Sequence, residues 1–264
     1  MLYDPTTEGF SPRMCAIDRC QMGLLRELAV HYDSRLFLKG GMAMRALFGS
    51  LRLTKDIDFE RAASLSIASL RKSLPKSLEK AALLAGLQEP TATATKVTAT
   101  TIRVSLAARL READEAVQYE VEISGRGLPP AENLVRLSVA PPMSYRMAQF
   151  TISSYDAHAM AAAKVAALHS DNRSVPRDIF DLSDLIAQGA NPVTLLRQRA
   201  SPTWLRSIAD RGIERTSIIG WGRANEEVLP YLPERVRETL SAADWENKCL
   251  RVAETVDQWI REAL

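Results

Sequence analysis

The stretch from Leu36 to Glu60 reads LFLKGGMAMRALFGSLRLTKDIDFE, and its order of residue types decides the fold of the front half. Leu36-Phe37-Leu38 is a short apolar run of the buried-strand kind. It stops at Gly40-Gly41. Met42 to Phe48 then has the pattern of a short helix, which Gly49-Ser50 ends. Leu51 to Glu60 reads as a second strand and carries Asp56-x-Asp58. Residues two apart on a strand face the same side, so these carboxylates project together while Ile57 and Phe59 enter the core. Two carboxylates this close repel one another unless a cation or proton lies between them. Oxygen ligands on a rigid strand suit a hard cation such as magnesium. The glycines let backbone amides approach a ligand, and the helix start behind them favours an anion. A nucleoside triphosphate fits that pairing, with a hydroxyl attacking its α-phosphorus in line.

Working outward, Ala116 to Ser124 alternates cleanly. Tyr119, Val121 and Ile123 point one way, and Glu120 and Glu122 the other. The chemistry asks for a third acid. Glu122 is favoured because Val121 and Ile123 anchor it, with Glu120 as the alternative. The pair reads equally as a solvated strand face. Arg45 and Lys55 lie close to the motif in sequence and are candidates to touch the triphosphate. Ser11-Pro12 opens an amphipathic helix running to about Val30. Ser64 to Leu87 is helical despite Pro75, with Leu70, Leu74 and Leu78 on one stripe. Lys72, Lys76 and Lys80, with Arg71, form a cationic stripe that serves either as a solvated face or as phosphate contacts for RNA. Thr91 to Leu106 reads as a strand.

Beyond about Phe150 the texture becomes helical. Ser153 to His169 is an alanine-rich helix. Asp178 to Gln188 is another, opened by Pro176, and two or three more are expected before Leu264. The organisation is therefore an α/β domain over 1–150 and a mainly helical domain over 151–264. Trp204, Trp221 and Trp245 are candidates either for the core or for stacking on bases.

The 264 residues carry a net charge of +2, with 46% apolar and 25% charged side chains, which argues against disorder for most of the chain and gives no bulk nucleic-acid signal. The three cysteines, an odd number, argue against a disulfide framework. The scattered histidines make no zinc signature. The polar N-terminus has no signal core, and no run reaches the ~20 apolar residues of a membrane span. These features point to the cytoplasm.

The segments KGGMAMR and TKDIDF, followed by AHAMAAAKVAALHSDNR and VPRDIFDLSDL, resemble the nucleotidyltransferase AbiEii/AbiGii toxin family, a branch of the DNA polymerase β-like nucleotidyltransferases. The resemblance spans roughly Leu36 to Leu185. It implies an α+β fold: a polymerase β-like mixed sheet flanked by helices, then a C-terminal helical domain that completes the active-site cleft. Gly40 and Gly41 match the family's glycine motif, and Asp56 and Asp58 its metal-binding pair, with Glu122 a further match. Lys164 matches a lysine that contacts nucleotide phosphates. Asp178 and Asp181 match the RDxxD acids. Read from the residues alone, Lys164 is a solvated lysine, and Arg177, Asp178 and Asp181 are a helix-start charge cluster. The resemblance further implies Mg2+ or Mn2+, an NTP substrate, and NMP transfer to an acceptor such as the tRNA 3′ end. It implies a separately encoded antitoxin and a link to phage defence. A small-molecule or protein acceptor, or a non-catalytic nucleotide- or RNA-binding module, are the rival expectations.

Overall fold

The structure, a computed structural model, describes residues 2–111, 115–170, 176–210 and 212–264. The chain forms two compact units, Met1–Ser154 and Tyr155–Leu264. Among the described residues no helix is long and apolar enough to cross a membrane.

The first unit is built on a seven-stranded mixed sheet. Its strands are β1 (Leu36–Lys39), β2 (Asp56–Arg61), β3 (Leu87–Val97), β4 (Thr101–Leu110), β5 (Glu115–Ser124), β6 (Leu134–Val139) and β7 (Phe150–Tyr155), in the spatial order β3-β4-β5-β2-β1-β7-β6. β2 runs antiparallel to β1 and parallel to β5, and β1 runs parallel to β7. Among the described residues this unit carries three α-helices, α1 (Pro12–Tyr32), α2 (Gly40–Leu47) and α3 (Ile67–Leu84).

α1 and α3 each start where a short polar side chain meets an open amide, whereas α2 starts at Gly40 with no side-chain cap. Ser11 Oγ accepts from Met14 N at 3.3 Å with Pro12 in the first turn, and Ser66 Oγ accepts from Ser69 N at 3.1 Å. The stripe Leu70, Leu74 and Leu78 is fully buried, worth roughly 1.5–3 kcal/mol per side chain. That burial outweighs the cost of Pro75 inside α3. Cys20 of α1 lies 3.2 Å from the Tyr119 hydroxyl of β5, so α1 covers the face lined by Tyr119, Val121 and Ile123. α3 packs on α1, β3 and β4 in the same layer.

The second unit holds α4 (Ala157–Leu168), α5 (Pro176–Ala187), α6 (Val193–Arg199), α7 (Pro202–Ala209), α8 (Gly212–Ser217), α9 (Trp221–Glu227), α10 (Glu234–Arg237) and α11 (Ala242–Ala263). α11 packs on α5, α6, α7, α8 and α9 and so forms the unit's spine. Trp245 of α11 is fully buried, with its indole N–H donating to Ile219 O at 2.8 Å. It is a core residue and offers no face to a base.

Four expectations need correction. The run Thr91 to Leu106 is a hairpin of two strands, because Thr98 Oγ1 accepts from the amides of Thr100 and Thr101 at 3.3 and 3.0 Å and turns the chain without glycine. The strand expected from Leu51 begins only at Asp56. The helix expected from Ser153 begins at Ala157. Residues 150–155 are β7, with Ser154 in register with Leu38, and Asp156 caps α4 by accepting from Ala159 N at 2.7 Å. Among the described residues six α-helices, not two or three, follow α5, several of them only four to eight residues long.

Candidate active site

The sheet register sets the site. β2 lies between β1 and β5, and Asp58 is paired with Lys39 on one side and Glu122 on the other. Asp56 is paired with Glu120. Side chains opposite one another across neighbouring strands share a face, so Asp56, Asp58, Glu120 and Glu122 form one half-buried acidic patch. The buried Ile57 and Phe59 hold β2 from the other face.

The two glycines are fitted to this patch. Gly40 has φ +70°, and a Cβ there would come within 2.5 Å of Asp58 Oδ2. A Cβ on Gly41 would meet Arg52 Nη2 and Thr54 Oγ1, each at 2.9 Å. Only bare backbone brings the start of α2 this close to the carboxylates. Thr54 also braces the start of β2, donating to Asp56 O at 3.2 Å. Arg52 and Thr54 are parts of the site that sequence reading did not single out. Their signal was closeness to the D-x-D, which is weak for a buried arginine. Lys55 is exposed at the head of β2.

Glu60 was also missed. It extends the alternation to D-x-D-x-E, so the same rule that paired Asp56 with Asp58 could have found it. Glu60 is buried and accepts from Lys39 Nζ at 2.6 Å, Ser124 Oγ at 2.6 Å, the Gly127 amide at 3.0 Å and the Arg126 amide. Burial pushes its carboxyl up, but the charge of Lys39 and these hydrogen bonds outweigh burial and hold it below its ordinary value. Lys39, next to Gly40, also donates to Ser124 Oγ at 2.8 Å. The Lys39–Glu60–Ser124 cluster thus ties the end of β1 to β2 and to the loop after β5.

Glu122 is engaged by cations. Its Oε2 accepts from Arg103 Nε at 3.1 Å and Nη2 at 2.7 Å, and Arg126 Nη2 lies 3.8 Å from Oε1. Arg103 also approaches Glu120 at 3.7 Å. The hydrogen bonds to Glu122 raise the guanidinium's pKa against the opposing effect of burial. Among the described residues no set of three or more His, Cys, Asp and Glu side chains is gathered around a metal-sized space. Asp56 and Asp58 are the two carboxylates that strand geometry sets side by side on β2, and carboxylate oxygens of this kind suit a hard divalent cation.

Arg45 is not where a phosphate contact needs it. It is fully buried, lies 3.2 Å from Asp18 Oδ2, donates to Tyr3 O at 3.0 Å and sits 4.0 Å over the Tyr3 ring. Asp18 is held further by the Tyr145 hydroxyl at 2.7 Å. Arg45 is thus committed to the base of α1. The stripe on α3 also lies away from the patch. α3 belongs to the helical layer on the Tyr119 face, and the carboxylates occupy the opposite face. Arg71, Lys72 and Lys76 are exposed there, and Lys80 is paired with Glu27 of α1 at 2.8 Å.

In the second unit Lys164 of α4 is buried. Its Nζ lies 2.8 Å from Asp178 Oδ1 and 2.5 Å from Asp181 Oδ2, both carboxylates on α5. The three matched residues are one ion cluster, not a solvated lysine beside a capping pair. The alanines of α4 bring the helices close enough for the lysine to reach both acids. Within the quoted resemblance, residues 171–173 and Val175 lie outside the described residues.

Thiol chemistry finds no support in this framework. Burial pushes the Cys20 thiol up to about 11, and it is spent on Tyr119.

No curated protein sequence matches the chain significantly. Two solved structures share its fold. JHP933 from Helicobacter pylori matches with a TM-score of 0.62 and 15% identity, over 96% of this chain and 95% of its own. A second H. pylori protein, provisionally described as a nucleotidyltransferase, matches with a TM-score of 0.58 and 14% identity, over 96% of this chain and 98% of its own. The family model for the nucleotidyl transferase AbiEii toxin of type IV toxin–antitoxin systems matches residues 23–262. With its glycine turn set against paired carboxylates, the chain belongs to the AbiEii nucleotidyl transferase toxin family.

Proposed function

We propose that the chain transfers a nucleoside monophosphate from a nucleoside triphosphate to a hydroxyl at the tRNA 3′ end, as the toxin of a pair with a separately encoded antitoxin that acts in phage defence in the cytoplasm. The observation that carries this reading is the fit of Gly40 against Asp58, with Asp56 beside it on the same face. It supports a phosphate-binding turn and a pair of anionic ligands within one short reach.

In this reading the amides at the start of α2 hold the triphosphate. Asp56 and Asp58 hold a divalent cation, Mg2+ or Mn2+, which supplies charge neutralisation for the triphosphate when bound. The acceptor oxygen forms a bond to the α-phosphorus, the bond from that phosphorus to the β-phosphate oxygen breaks, and pyrophosphate leaves. The hydroxyl proton passes to a carboxylate of the same face. We assign it to Glu122, opposite Asp58, with Glu120 opposite Asp56 as the alternative. Lys55, exposed at the head of β2, is assigned in this reading to phosphate oxygens. The assignment of Lys164 to nucleotide phosphates belongs to the same proposal.

The test is to incubate the purified chain with Mg2+, each labelled nucleoside triphosphate and total tRNA. Labelled RNA is expected from the wild type and none from Asp58→Ala, and wild-type expression should slow growth where the variant does not. Label on protein or on a small molecule instead would replace the acceptor. Undiminished labelling by Asp58→Ala would overturn the site.

A further inference from the structure

We infer that the open face of β3, β4 and β5 is the track on which the RNA acceptor lies as its 3′ end approaches the carboxylates. This rests on the reading that the acceptor is RNA, and it moves the RNA contact from α3 to the other face of the sheet.

The register makes the track. Asp58 pairs with Glu122, Glu122 with Arg103, and Arg103 with Lys96. One row of side chains thus runs from the acidic patch on β2 across β5 and β4 to the edge strand β3, a span of about 14 Å at ordinary strand spacing. Cations stand among and beyond the acids: Arg103 is paired with Glu122 and Glu120, and Arg109 lies 3.9 Å from Glu89. In the row, Lys96 on β3 lies beyond Arg103, and Arg109 stands on the same face six residues along β4; both are exposed. Arg126 stands beside Glu122 and is exposed.

The same face carries exposed Thr91 and Thr93 on β3. The helices packed on these strands, α1 and α3, lie on the opposite, apolar face. The open face is therefore wide, polar and accessible, and it ends at the acids that the acceptor hydroxyl must reach.

Its chemistry names the occupant. Cations and small hydroxyls suit phosphates and ribose hydroxyls. Among the described residues β3, β4 and β5 put no aromatic side chain on this face, so it offers no platform on which bases stack. It fits a polynucleotide backbone read without regard to base sequence. A protein acceptor would need apolar anchors that this face lacks.

The experiment measures binding of a tRNA with a free 3′ end at several salt concentrations. It compares the wild type, Lys96→Ala/Arg109→Ala on the open face, and Lys72→Ala/Lys76→Ala on α3. All four substituted residues are exposed, and melting curves check that both variants fold. The open-face variant should bind roughly tenfold more weakly, and its plot of log Kd against log salt should be shallower by about 1.4, for two lost phosphate contacts to a single strand. The α3 variant should bind as the wild type does. Equal binding by the open-face variant, weakening in the α3 variant alone, or no RNA binding by the wild type would each overturn the track. Labelling with Asp58→Ala tests the reaction separately. Intact RNA binding without transfer would overturn the reaction and leave the track standing.

Discussion

Gly40 and Asp58 are shaped to one another. The backbone of Gly40 at φ +70° leaves just the room that Asp58 Oδ2 occupies, 2.5 Å from where a Cβ would stand. Gly40→Ala must therefore displace the carboxylate as well as adopt a left-handed backbone, which costs an alanine about 1–2 kcal/mol. Misplacement near 1 Å at a reacting centre costs on the order of 100-fold in rate. Gly40→Ala should lose transfer activity by about that factor while melting only a few degrees lower. Single-turnover kinetics beside a thermal melt checks this, and wild-type rates in the variant would refute it.

Glu60 makes stability depend on acid. Its carboxyl is held below the ordinary value of about 4.3 by Lys39, Ser124 and the loop amides, despite burial. The unfolded chain then binds the proton more readily than the folded one. The stabilisation from Glu60 is present above about pH 4.3 and is lost as pH falls through the lower folded value. Urea midpoints at pH 7 and pH 3.5 should differ more for the wild type than for Glu60→Gln. Glu60→Gln itself should cost about 3 kcal/mol at pH 7, since it leaves Lys39 without its buried partner.

Lys164 lies between two buried carboxylates. Replacing it by methionine leaves Asp178 and Asp181 facing each other without the ammonium, and should destabilise the second unit by about 3–5 kcal/mol. The double variant Lys164→Met/Asp178→Asn should recover part of that loss. A denaturant series on the three proteins measures the coupling. If the double variant regains stability but not transfer, the Lys164–Asp178 pair serves the reaction as well as the fold.

Arg45→Gln separates a structural arginine from a phosphate ligand. Buried against Asp18 and Tyr3, it should lower stability by about 3 kcal/mol. The KM for nucleoside triphosphate should not change. A KM rise with unchanged stability would restore the phosphate role.

Much of the site was legible because alternation is local. Asp56 and Asp58 share a face by strand geometry alone, and Glu120 and Glu122 do so for the same reason. The sequence could not say that the two strands are parallel neighbours in a register that sets Asp58 opposite Glu122. That pairing joins residues 64 positions apart. The same alternation already placed Glu60 on that face; what the sequence could not give is its partners, because Ser124 and Gly127 reach it from far along the chain. Arg45 shows the opposite failure. Nearness in sequence to a motif placed it at the phosphates, but a helix turns its side chains through every direction, and α2 points this one into the core. β7 was lost because the residues of its Ser153–Tyr155 end suit a helix start as well as a strand, and only the register with Leu38 decides.

The alternation of β2 has one more consequence. Ile57 and Phe59 enter the core by the same backbone that presents Asp56 and Asp58, so a slip of one residue would bury the acids and expose the apolar pair. Catalytic competence and a formed interior are thus a single event for this strand. In rising denaturant, activity should vanish together with the near-ultraviolet signal of the packed core, and no partly folded species should retain it.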